Sequence, residues 1–279
     1  MVVGRRNRTL RNLGIGVAVT VLILWSLIPV YWIVITSFKH EKEIYAYPPT
    51  FIPIRPTLEQ YVMVLFHTAF PLFIRNSFIV AAGATLLSCI AGALGAYAIG
   101  RMRFPGRATV GRLIVVSYLL PPSLLFIPLF IVLQRLGLID TLAGLILAYL
   151  TFTVPFATWM LIGHIRTIPS ELDEAARIDG ATRLQILWRI VLPLTLPGLS
   201  VVALFSFTHA WNEFLYALVF VYSNGTRTIT AGLASLTMGD TFIWGQLMAA
   251  STLAIVPVLL IYLAAQRYLI EGLTGGSIK

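Results

Sequence analysis

Apolar runs of about twenty residues alternate with short polar segments along the whole chain. A run of that length spans a bilayer as an α-helix, because the hydrocarbon core is about 30 Å thick and a helix rises about 1.5 Å per residue. The six qualifying runs are Leu13 to Phe38, Phe73 to Gly100, Leu113 to Leu133, Leu142 to Gly163, Leu199 to Tyr222 and Gly245 to Gln266. We therefore predict an all-α membrane protein with six transmembrane helices. The membrane region then covers residues 13–266, between an N-terminal segment 1–12 and a tail 267–279.

The densest polar segment lies between the fourth and fifth runs, from Ser170 to Leu194. Ser170 is predicted to cap a helix whose first turn is acidic, an arrangement that the helix dipole favours. Gly180 can adopt the left-handed conformation that closes a helix, so this helix should end near Ile178. A second amphipathic helix follows, and Pro193 ends or kinks it. Its predicted apolar face consists of Leu184, Ile186, Leu187, Ile190 and Val191. The segment therefore predicts a helix-turn-helix within a loop at 164–198.

Composition supports a membrane location, and the distribution of charge predicts the orientation. Hydrophobic residues make up 58% of the chain and charged residues 11%, whereas a soluble domain has about 25% charged residues. The net charge of +9 does not indicate nucleic acid binding, because the basic residues lie at the ends of apolar runs and form no patch. With the N-terminus inside, fourteen Lys and Arg residues are cytoplasmic and six are external, as the positive-inside rule requires. Both termini and the loop 164–198 are therefore predicted to be cytoplasmic, and the proline-containing loop 39–72 external.

Small residues recur at every fourth position of the second run. They are Ala84, Ser88, Gly92, Ala96 and Gly100. Helices in lipid approach closely along such stripes, because van der Waals contact drives their association. The stripe predicts a helix interface.

Prolines interrupt the third run at Pro121, Pro122 and Pro128. Each removes a backbone hydrogen bond, so neighbouring helices or water must satisfy the freed groups. Two interpretations stay open, a structural kink and a broken helix beside an aqueous path.

An ionisable pair lies within the fifth run. His209 and Glu213 are four residues apart, which would place them on one face of a helix, with Trp211 and Asn212 beside them. Ionisable groups cost about 2.5 kcal/mol or more at the bilayer centre, so the pair needs an explanation. One interpretation is the lining of a translocation path, where an aromatic ring, an amide and a carboxylate meet a sugar. The other is a buried polar cluster that ties helices together.

Two other classes of membrane protein remain as alternatives. An ion-coupled secondary carrier could use His209 and Glu213, but that reading leaves the polar helix pair at 170–194 unexplained. A membrane scaffold protein would be supported only by the small-residue stripe.

Nothing in the sequence predicts catalysis. A phosphate-binding loop needs a lysine after a glycine, but the three lysines of the chain follow Phe38, Glu41 and Ile278. The single cysteine, Cys89, excludes an internal disulfide and a cysteine metal cluster. We predict a chain that is not an enzyme, carries no cofactor or metal, and leaves ATP and Mg to a different polypeptide.

The polar segment resembles the signature loop of ABC-importer permeases. The likeness rests on Glu174-Ala175-Ala176 followed by Gly180, Ile190 and Leu192-Pro193 at the right spacing. The resemblance implies that the loop docks on an ATP-binding subunit. The implied contact residues are Glu174, Ala175, Ala176, Asp179 and Gly180, with support from Ile178, Leu184, Ile190 and Pro193. The alternative is an amphipathic surface hairpin with no partner.

Four other segments extend this resemblance over most of the chain. They are Ser37-Phe38-Lys39, the turn Arg101 to Gly106, Trp211 to Phe214, and the tail Gly272 to Gly276. Together they resemble the smaller permease subunit of maltose-type carbohydrate ABC importers. Trp188, which stands where a smaller aromatic residue is usual, and the tail Gly275-Gly276-Ser277 depart from that pattern.

The resemblance implies a fold, a location and a set of partners. It implies the six-span ABC importer permease fold in the bacterial inner membrane, with 164–198 as a cytoplasmic coupling loop. The implied partners are a second homologous permease subunit, two ATP-binding subunits, an extracytoplasmic solute-binding protein and membrane lipid.

Overall fold

The computed structural model describes the backbone of residues 3–237 and 243–274 and the side chains of residues 12–237 and 243–266. The regular structure in these ranges is helical throughout, which confirms the all-α prediction. The helices are α1 (Val3–Ser37), α2 (Glu41–Ile44), α3 (Glu59–Phe66), α4 (Phe70–Arg101), α5 (Arg107–Leu119), α6 (Pro122–Arg135), α7 (Leu142–Thr167), α8 (Glu171–Ile178), α9 (Arg183–Ile186), α10 (Leu192–Leu194), α11 (Leu196–Asn212), α12 (Leu215–Phe220), α13 (Ile229–Ser235) and α14 (Trp244–Thr274). A π-helical turn, Leu187–Val191, joins α9 to α10.

Four of the predicted spans coincide with helices long and apolar enough to cross a membrane. The matching segments are Asn12–Ser37, Phe70–Arg101, Leu142–Thr167 and Trp244–Gln266. The third predicted span falls on the bent pair Arg107–Leu119 and Pro122–Arg135, and the fifth overlaps only the second half of the bent pair Arg183–Leu194 and Leu196–Asn212. The described residues contain up to six spans if each bent pair counts as one.

The third predicted span, Leu113 to Leu133, is a broken helix, which is one of the two interpretations that its prolines left open. The chain bends by 101° between α5 and α6, and Leu120 and Pro121 at the break have extended backbones. Consecutive prolines cause this break, because each lacks an amide hydrogen and sterically disfavours a helical residue before it. The hydroxyl of Tyr216 donates a hydrogen bond to the carbonyl of Pro122 at 2.8 Å, which links α12 to the start of α6.

The fifth predicted span, Leu199 to Tyr222, is wrong as a single helix. The bend of 82° between Arg183–Leu194 and α11 lies just before this run. At the other end α11 stops at Asn212, and Glu213 is extended before α12 begins. The prediction failed because uniform hydropathy gives no sign of a helix break inside an apolar run.

The described chain divides into two compact units. One comprises Met1–Thr68 with Leu236–Leu253, and the other comprises Ala69–Ser235 with Ala254–Lys279. The second unit contains the polar loop and the fourth and fifth predicted spans.

The small-residue stripe of α4 packs against α7, as predicted. Ser88 Oγ lies 2.6 Å from Thr153 Oγ1, and a Cβ atom added at Gly92 would lie 2.6 Å from the Cβ of Ala157. At the end of the stripe, Gly100 faces Ile165. Residues of α4 meet residues of α7 at a constant sequence offset, so the two helices run parallel. Small side chains allow this approach because they remove bulk from the interface.

Helix α11 packs antiparallel against α7. Near the start of α11, a Cβ atom at Gly198 would lie 2.6 Å from the His164 ring. Further along, the rings of Phe156 and Phe205 stack with centroids 3.7 Å apart. The buried core beside these helices continues into the polar loop. It includes Tyr97, Leu161, Ile165, Ala176, Ile186, Leu187, Val191 and Val202.

In the first unit, the loop after α1 is organised around a buried lysine. Lys39 is 2% exposed, donates from Nζ to the carbonyl of Thr50 at 2.5 Å and lies 4.6 Å from the Trp32 ring centroid. The Glu43 carboxylate accepts from Thr50 Oγ1 at 2.7 Å and from the amide of Ile54 at 2.9 Å. Burial alone would raise the pKa of Glu43, but these bonds and the nearby Lys39 ammonium hold the pKa below its usual value. The segment is an ordered cap.

Candidate functional site

The polar segment forms the predicted helix-turn-helix. Helix α8 ends at Ile178, and Gly180 follows with φ of 82°. The amide of Ala181 donates to the carbonyl of Ala176 at 2.9 Å and closes the turn. The left-handed conformation favours glycine here because a side chain adds strain.

The predicted cap at Ser170 is wrong, and the effective cap lies at the second helix. Ser170 has helical dihedral angles and its side chain makes no capping bond. Thr182 instead forms a capping box with Gln185, in which the Thr182 hydroxyl accepts from the Gln185 amide and the Gln185 side chain accepts from the Thr182 amide. The sequence Thr-x-x-Gln carries this signature, so the cap could have been found from the sequence.

Helix α8 has one buried face and one exposed face. Asp173 and Ala176 are buried, 2% and 9% exposed respectively. The exposed face carries most of the residues that the family resemblance implies. They are Glu174, Ala175, Ile178, Asp179 and Gly180.

Two of the implied contact residues, Ala176 and Ile190, do not lie on the open surface. Ala176 is part of the buried core, and Ile190 is half-buried against it. Ala176 therefore packs α8 onto its own chain. Conversely, Leu184 was placed on the apolar face of the second helix but is 57% exposed. Pro193 is exposed too. The buried face consists of Ile186, Leu187 and Val191.

A buried ion pair fixes the inner face of α8. Arg101, the last residue of α4, has its Nε 3.6 Å from Asp173 Oδ2, and the two side chains are 11% and 3% exposed. The same guanidinium donates from Nη2 to the carbonyl of Ile168 at 2.6 Å. In the sequence, Arg101 counts only as one of the positive charges that predict the orientation, and Asp173 only as an acidic residue in the first turn of a helix. A single sequence contains no sign that two residues so far apart form an ion pair. The pair ties the helix-turn-helix to the end of α4.

The four residues predicted for a translocation path separate into different environments. Trp211 is 3% exposed, and its Nε1 donates to the carbonyl of Ala254 at 3.2 Å. Asn212 is exposed and donates to the carbonyl of Thr208 at 2.9 Å. His209 is exposed, with its ring 4.6 Å from that of Phe152. Trp211 thus packs inside its unit, whereas His209 and Asn212 are accessible.

Glu213 does not share a helix face with His209, because α11 ends at Asn212. Its carboxylate accepts hydrogen bonds from Tyr149 Oη at 2.9 Å and from the amides of Tyr216 and Ala217 at 2.9 Å and 3.1 Å. Glu213 therefore satisfies the unpaired amides at the start of α12 and links that helix to α7. Its observed contacts match the helix-tying interpretation.

A row of aromatic rings runs along α5, α7 and α11 beside His209. Tyr118 stacks on Trp159 at 6.1 Å, Phe156 stacks on Phe205, and Phe205 lies 5.5 Å from His209. Trp159 is 47% exposed. The row was not among the predicted features, although Phe152, Phe156 and Trp159 recur in α7 at the spacing of one helix face.

Asp140 joins the loop after α6 to the loop after α12. Its carboxylate accepts hydrogen bonds from the amides of Tyr222 and Ser223, at 3.0 Å and 3.1 Å, and from the hydroxyl of Thr226. Burial alone would raise the pKa of Asp140, but these hydrogen bonds hold the pKa below its usual value. No group of three His, Cys, Asp or Glu side chains in the described residues could hold a metal ion.

Comparison with known families now decides the class of the chain. The family described as binding-protein-dependent transport system inner membrane component matches residues 84–275. The chain belongs to this family. As a member, the permease is a transport subunit of an ABC importer, which confirms the resemblance of the helix-turn-helix segment and the prediction of a non-enzymatic chain.

Relatives of the permease match it over nearly its full length. The inner membrane ABC transporter permease protein YcjP of Escherichia coli is 38% identical over 98% of both chains. The trehalose/maltose transport system permease protein MalG of Thermococcus litoralis is 33% identical over 98% of this chain and 99% of its own.

A solved structure shares the fold. A bacterial ABC transporter involved in the import of the acidic polysaccharide alginate superposes with a TM-score of 0.79, at 24% identity, over 94% of this chain and 98% of that chain. The likeness establishes the ABC importer permease fold, and together with the relatives it removes the ion-coupled carrier as the better explanation.

Proposed function

We propose that the permease is the membrane-spanning subunit of an ATP-driven importer for a carbohydrate, and that it receives motion from an ATP-binding subunit through the exposed face of α8. Its proposed partners are a second homologous permease subunit, two ATP-binding subunits that hold ATP and Mg, and an extracytoplasmic solute-binding protein. The permease itself hydrolyses nothing.

The two-sided construction of α8 is the observation that carries the coupling role. The outer face presents Glu174, Ala175 and Ile178, and Ile178 is 86% exposed. The inner face is held by the buried Arg101 and Asp173 pair and by Ala176. A force applied to the outer face therefore reaches α4 through the ion pair and α7 through the core. A surface hairpin with no partner would not require its inner face to be attached to α4 and α7 in this way.

The proposed orientation places this surface where ATP is available. Arginines flank the loop 164–198 and the turn between α4 and α5, and the positive-inside rule assigns such loops to the cytoplasm. Residues 1–12 and 267–279 are then cytoplasmic and 39–72 is external. The family-like tail at 275–279 lies outside the described residues.

Exposed apolar surface on α1 supports a membrane-embedded partner. Every side chain from Asn12 to Trp32 is exposed, including Trp25 at 74%. A surface of this kind requires lipid or another apolar helix. We assign it to lipid and the second permease subunit.

The carbohydrate assignment is supported by the aromatic row and by a relative. Aromatic faces and amide groups contact the apolar faces and hydroxyls of sugars, and His209 and Asn212 lie exposed at the end of this row. The relative in Thermococcus litoralis is a trehalose/maltose transport permease. Of the predicted path residues, we retain His209 and Asn212 for the lining and assign Trp211 and Glu213 to support.

Variants on the outer face of α8 test the coupling role. Glu174→Lys reverses a charge on that face, and Gly180→Pro is incompatible with φ of 82° because proline fixes φ near −65°. Both variants should insert into the membrane and lose ATP-dependent uptake. Glu41→Lys, the same charge change at an exposed position of α2, should retain uptake. Full uptake by both single variants, Glu174→Lys and Gly180→Pro, when each is well expressed, would contradict the proposal.

The energy source separates the importer from the carrier alternative. Uptake by membrane vesicles supplied with internal ATP should survive a protonophore. Uptake that collapses with the proton gradient while ATP is maintained would favour ion coupling.

A further inference from the structure

A cleft of about 1070 Å³ lies beside the aromatic row, between the start of α5, the end of α7 and the start of α11. It belongs to a single unit of the chain. Its volume is slightly above the range for small-molecule sites, which is about 300–1,000 Å³. The cleft is separate from the outer face of α8 and from His209.

The cleft has a cationic end and an apolar end. Helix α5 packs antiparallel to α7, so the first residues of α5 lie beside the last residues of α7. Arg107 and Arg112 therefore share one end of the cleft with His164 and Arg166. Val115 and Val116 of α5 and Trp159 of α7 line it further into the apolar segments.

The positive charge at this end has no carboxylate partner in the described residues. Arg107 donates to the carbonyl of Met102 at 3.1 Å, and Arg112 donates from Nε to the carbonyl of Ala108 at 3.3 Å. Backbone carbonyls leave both guanidinium charges uncompensated. The lining residues include no Asp or Glu, and the ion pairs found in the described part of the chain lie elsewhere.

We propose that this cleft binds an anionic phospholipid, with the phosphate on the arginines and an acyl chain against Val115, Val116 and Trp159. Guanidinium groups bind phosphate oxygens in a bidentate manner. Basic pockets between transmembrane helices suit anionic headgroups, and an acyl chain complements an aliphatic wall. A sugar would leave the aliphatic side chains of Val115 and Val116 without an apolar partner. The proposal does not depend on the coupling role of α8.

Lipid-dependent thermal stability of the assembled transporter tests the proposal. The transporter, purified in neutral detergent, is titrated with dioleoyl phosphatidylglycerol, with dioleoyl phosphatidylcholine, and with inorganic phosphate. We expect an upward shift in melting temperature with phosphatidylglycerol alone, because a ligand that binds only the folded state stabilises it.

Two kinds of variant locate the site. Arg112→Gln combined with Arg166→Gln should weaken phosphatidylglycerol binding by roughly 10-fold for each arginine. Arg135→Gln, at an exposed arginine away from the cleft, should leave it unchanged. Gly163→Leu keeps every arginine and fills the cleft, since a Cβ atom at Gly163 meets open space. The Gly163→Leu variant should fold and should lose the shift in melting temperature with phosphatidylglycerol. It therefore tests the site even if the arginine variant fails to fold.

Each contrary result overturns the proposal. Equal shifts with phosphatidylcholine would mean that apolar filling alone stabilises the protein. An equal shift with inorganic phosphate would mean an anion site with no lipid. Cross-linking of Val116→Cys to another subunit in the assembled transporter would show that a protein segment fills the cleft, and so would a phosphatidylglycerol shift that Gly163→Leu leaves intact.

Discussion

At the scale of single residues, buried charge decides where α8 sits. Asp173 is 3% exposed at its side chain, and its only ionic neighbour in the described residues is Arg101. A buried carboxylate that loses its partner pays a desolvation cost that the ion pair otherwise offsets. This pair therefore sets the position of the proposed coupling surface although neither residue belongs to it.

We predict that Asp173→Ala lowers the stability of the purified protein by about 3 kcal/mol, because it leaves the Arg101 guanidinium buried and unpaired. Asp179→Ala removes the same side chain from an exposed site of the same segment and should have little effect. Arg101→Leu added to Asp173→Ala should recover part of the loss. Thermal unfolding in detergent measures all three. Equal melting temperatures for Asp173→Ala and Asp179→Ala would rule out the bracing role.

Glu213 is a second residue whose contacts assign its role. It accepts three hydrogen bonds at the start of α12. Replacing it with alanine leaves a tyrosine hydroxyl and two amides without partners, at about 1–3 kcal/mol for each buried group left unpaired.

We predict that Glu213→Ala markedly lowers the melting temperature, whereas Glu213→Gln, which keeps an acceptor oxygen, retains most of the stability and the ATP-driven uptake. The pair of variants distinguishes support from proton transfer, because glutamine cannot carry a proton. Loss of uptake in a stable Glu213→Gln protein would point to an ionisable role instead.

At the scale of helices, the close approach of α4 and α7 determines the core of the larger unit. A Cβ atom at Gly92 would lie 2.6 Å from the Cβ of Ala157 and 3.1 Å from its carbonyl carbon. Backbone and Cβ atoms cannot move aside as a long side chain can, so the helices must separate to admit any larger residue.

We predict that Gly92→Val destabilises the protein by about 3 kcal/mol or more, since overpacking here adds to helix displacement. Gly163→Val, a matched change in α7, should be tolerated because a Cβ atom there meets nothing within 4 Å. The Gly92→Val and Gly163→Val variants are compared by their yield and melting temperature after purification. Equal behaviour would show that the interface is more adaptable than its geometry indicates.

At the scale of the whole molecule, the distribution of charge predicts which loops share a compartment. We expect Ala175→Cys to react with a membrane-impermeant thiol reagent only from the cytoplasmic side, and Tyr47→Cys only from the outside, in a Cys89→Ser background. Both positions are exposed, with Tyr47 at 95%. Labelling of both positions from one side would refute the predicted topology.

Local sequence features were sufficient to predict many of the elements. Hydropathy placed four long helices, the four-residue spacing of small residues identified the α4 face that meets α7, and Gly180 marked the end of α8. Each of these features depends on residues within a few positions of one another, so a single sequence is sufficient to predict it. The family likeness of Glu174 to Pro193 is local in the same sense.

The failures involve contacts between distant residues. Placing His209 and Glu213 on one helix face assumed that the apolar run was one helix, but the break at Glu213 is stabilised by Tyr149, far away in the sequence. The family resemblance implied Ala176 as a docking contact, but a local motif does not show which face of α8 the core covers.

Residues close together in the sequence were enough to establish a helical membrane protein with a polar helix-turn-helix between spans, because the thickness of the bilayer sets the length of each apolar run. The folded molecule was needed to show which face of that helix-turn-helix is exposed, which of the predicted path residues are accessible, and which arginines beside the cleft have no carboxylate partner. Those properties depend on the pairing of Arg101 with Asp173 and on the packing of α5, α7 and α11, which no local pattern encodes.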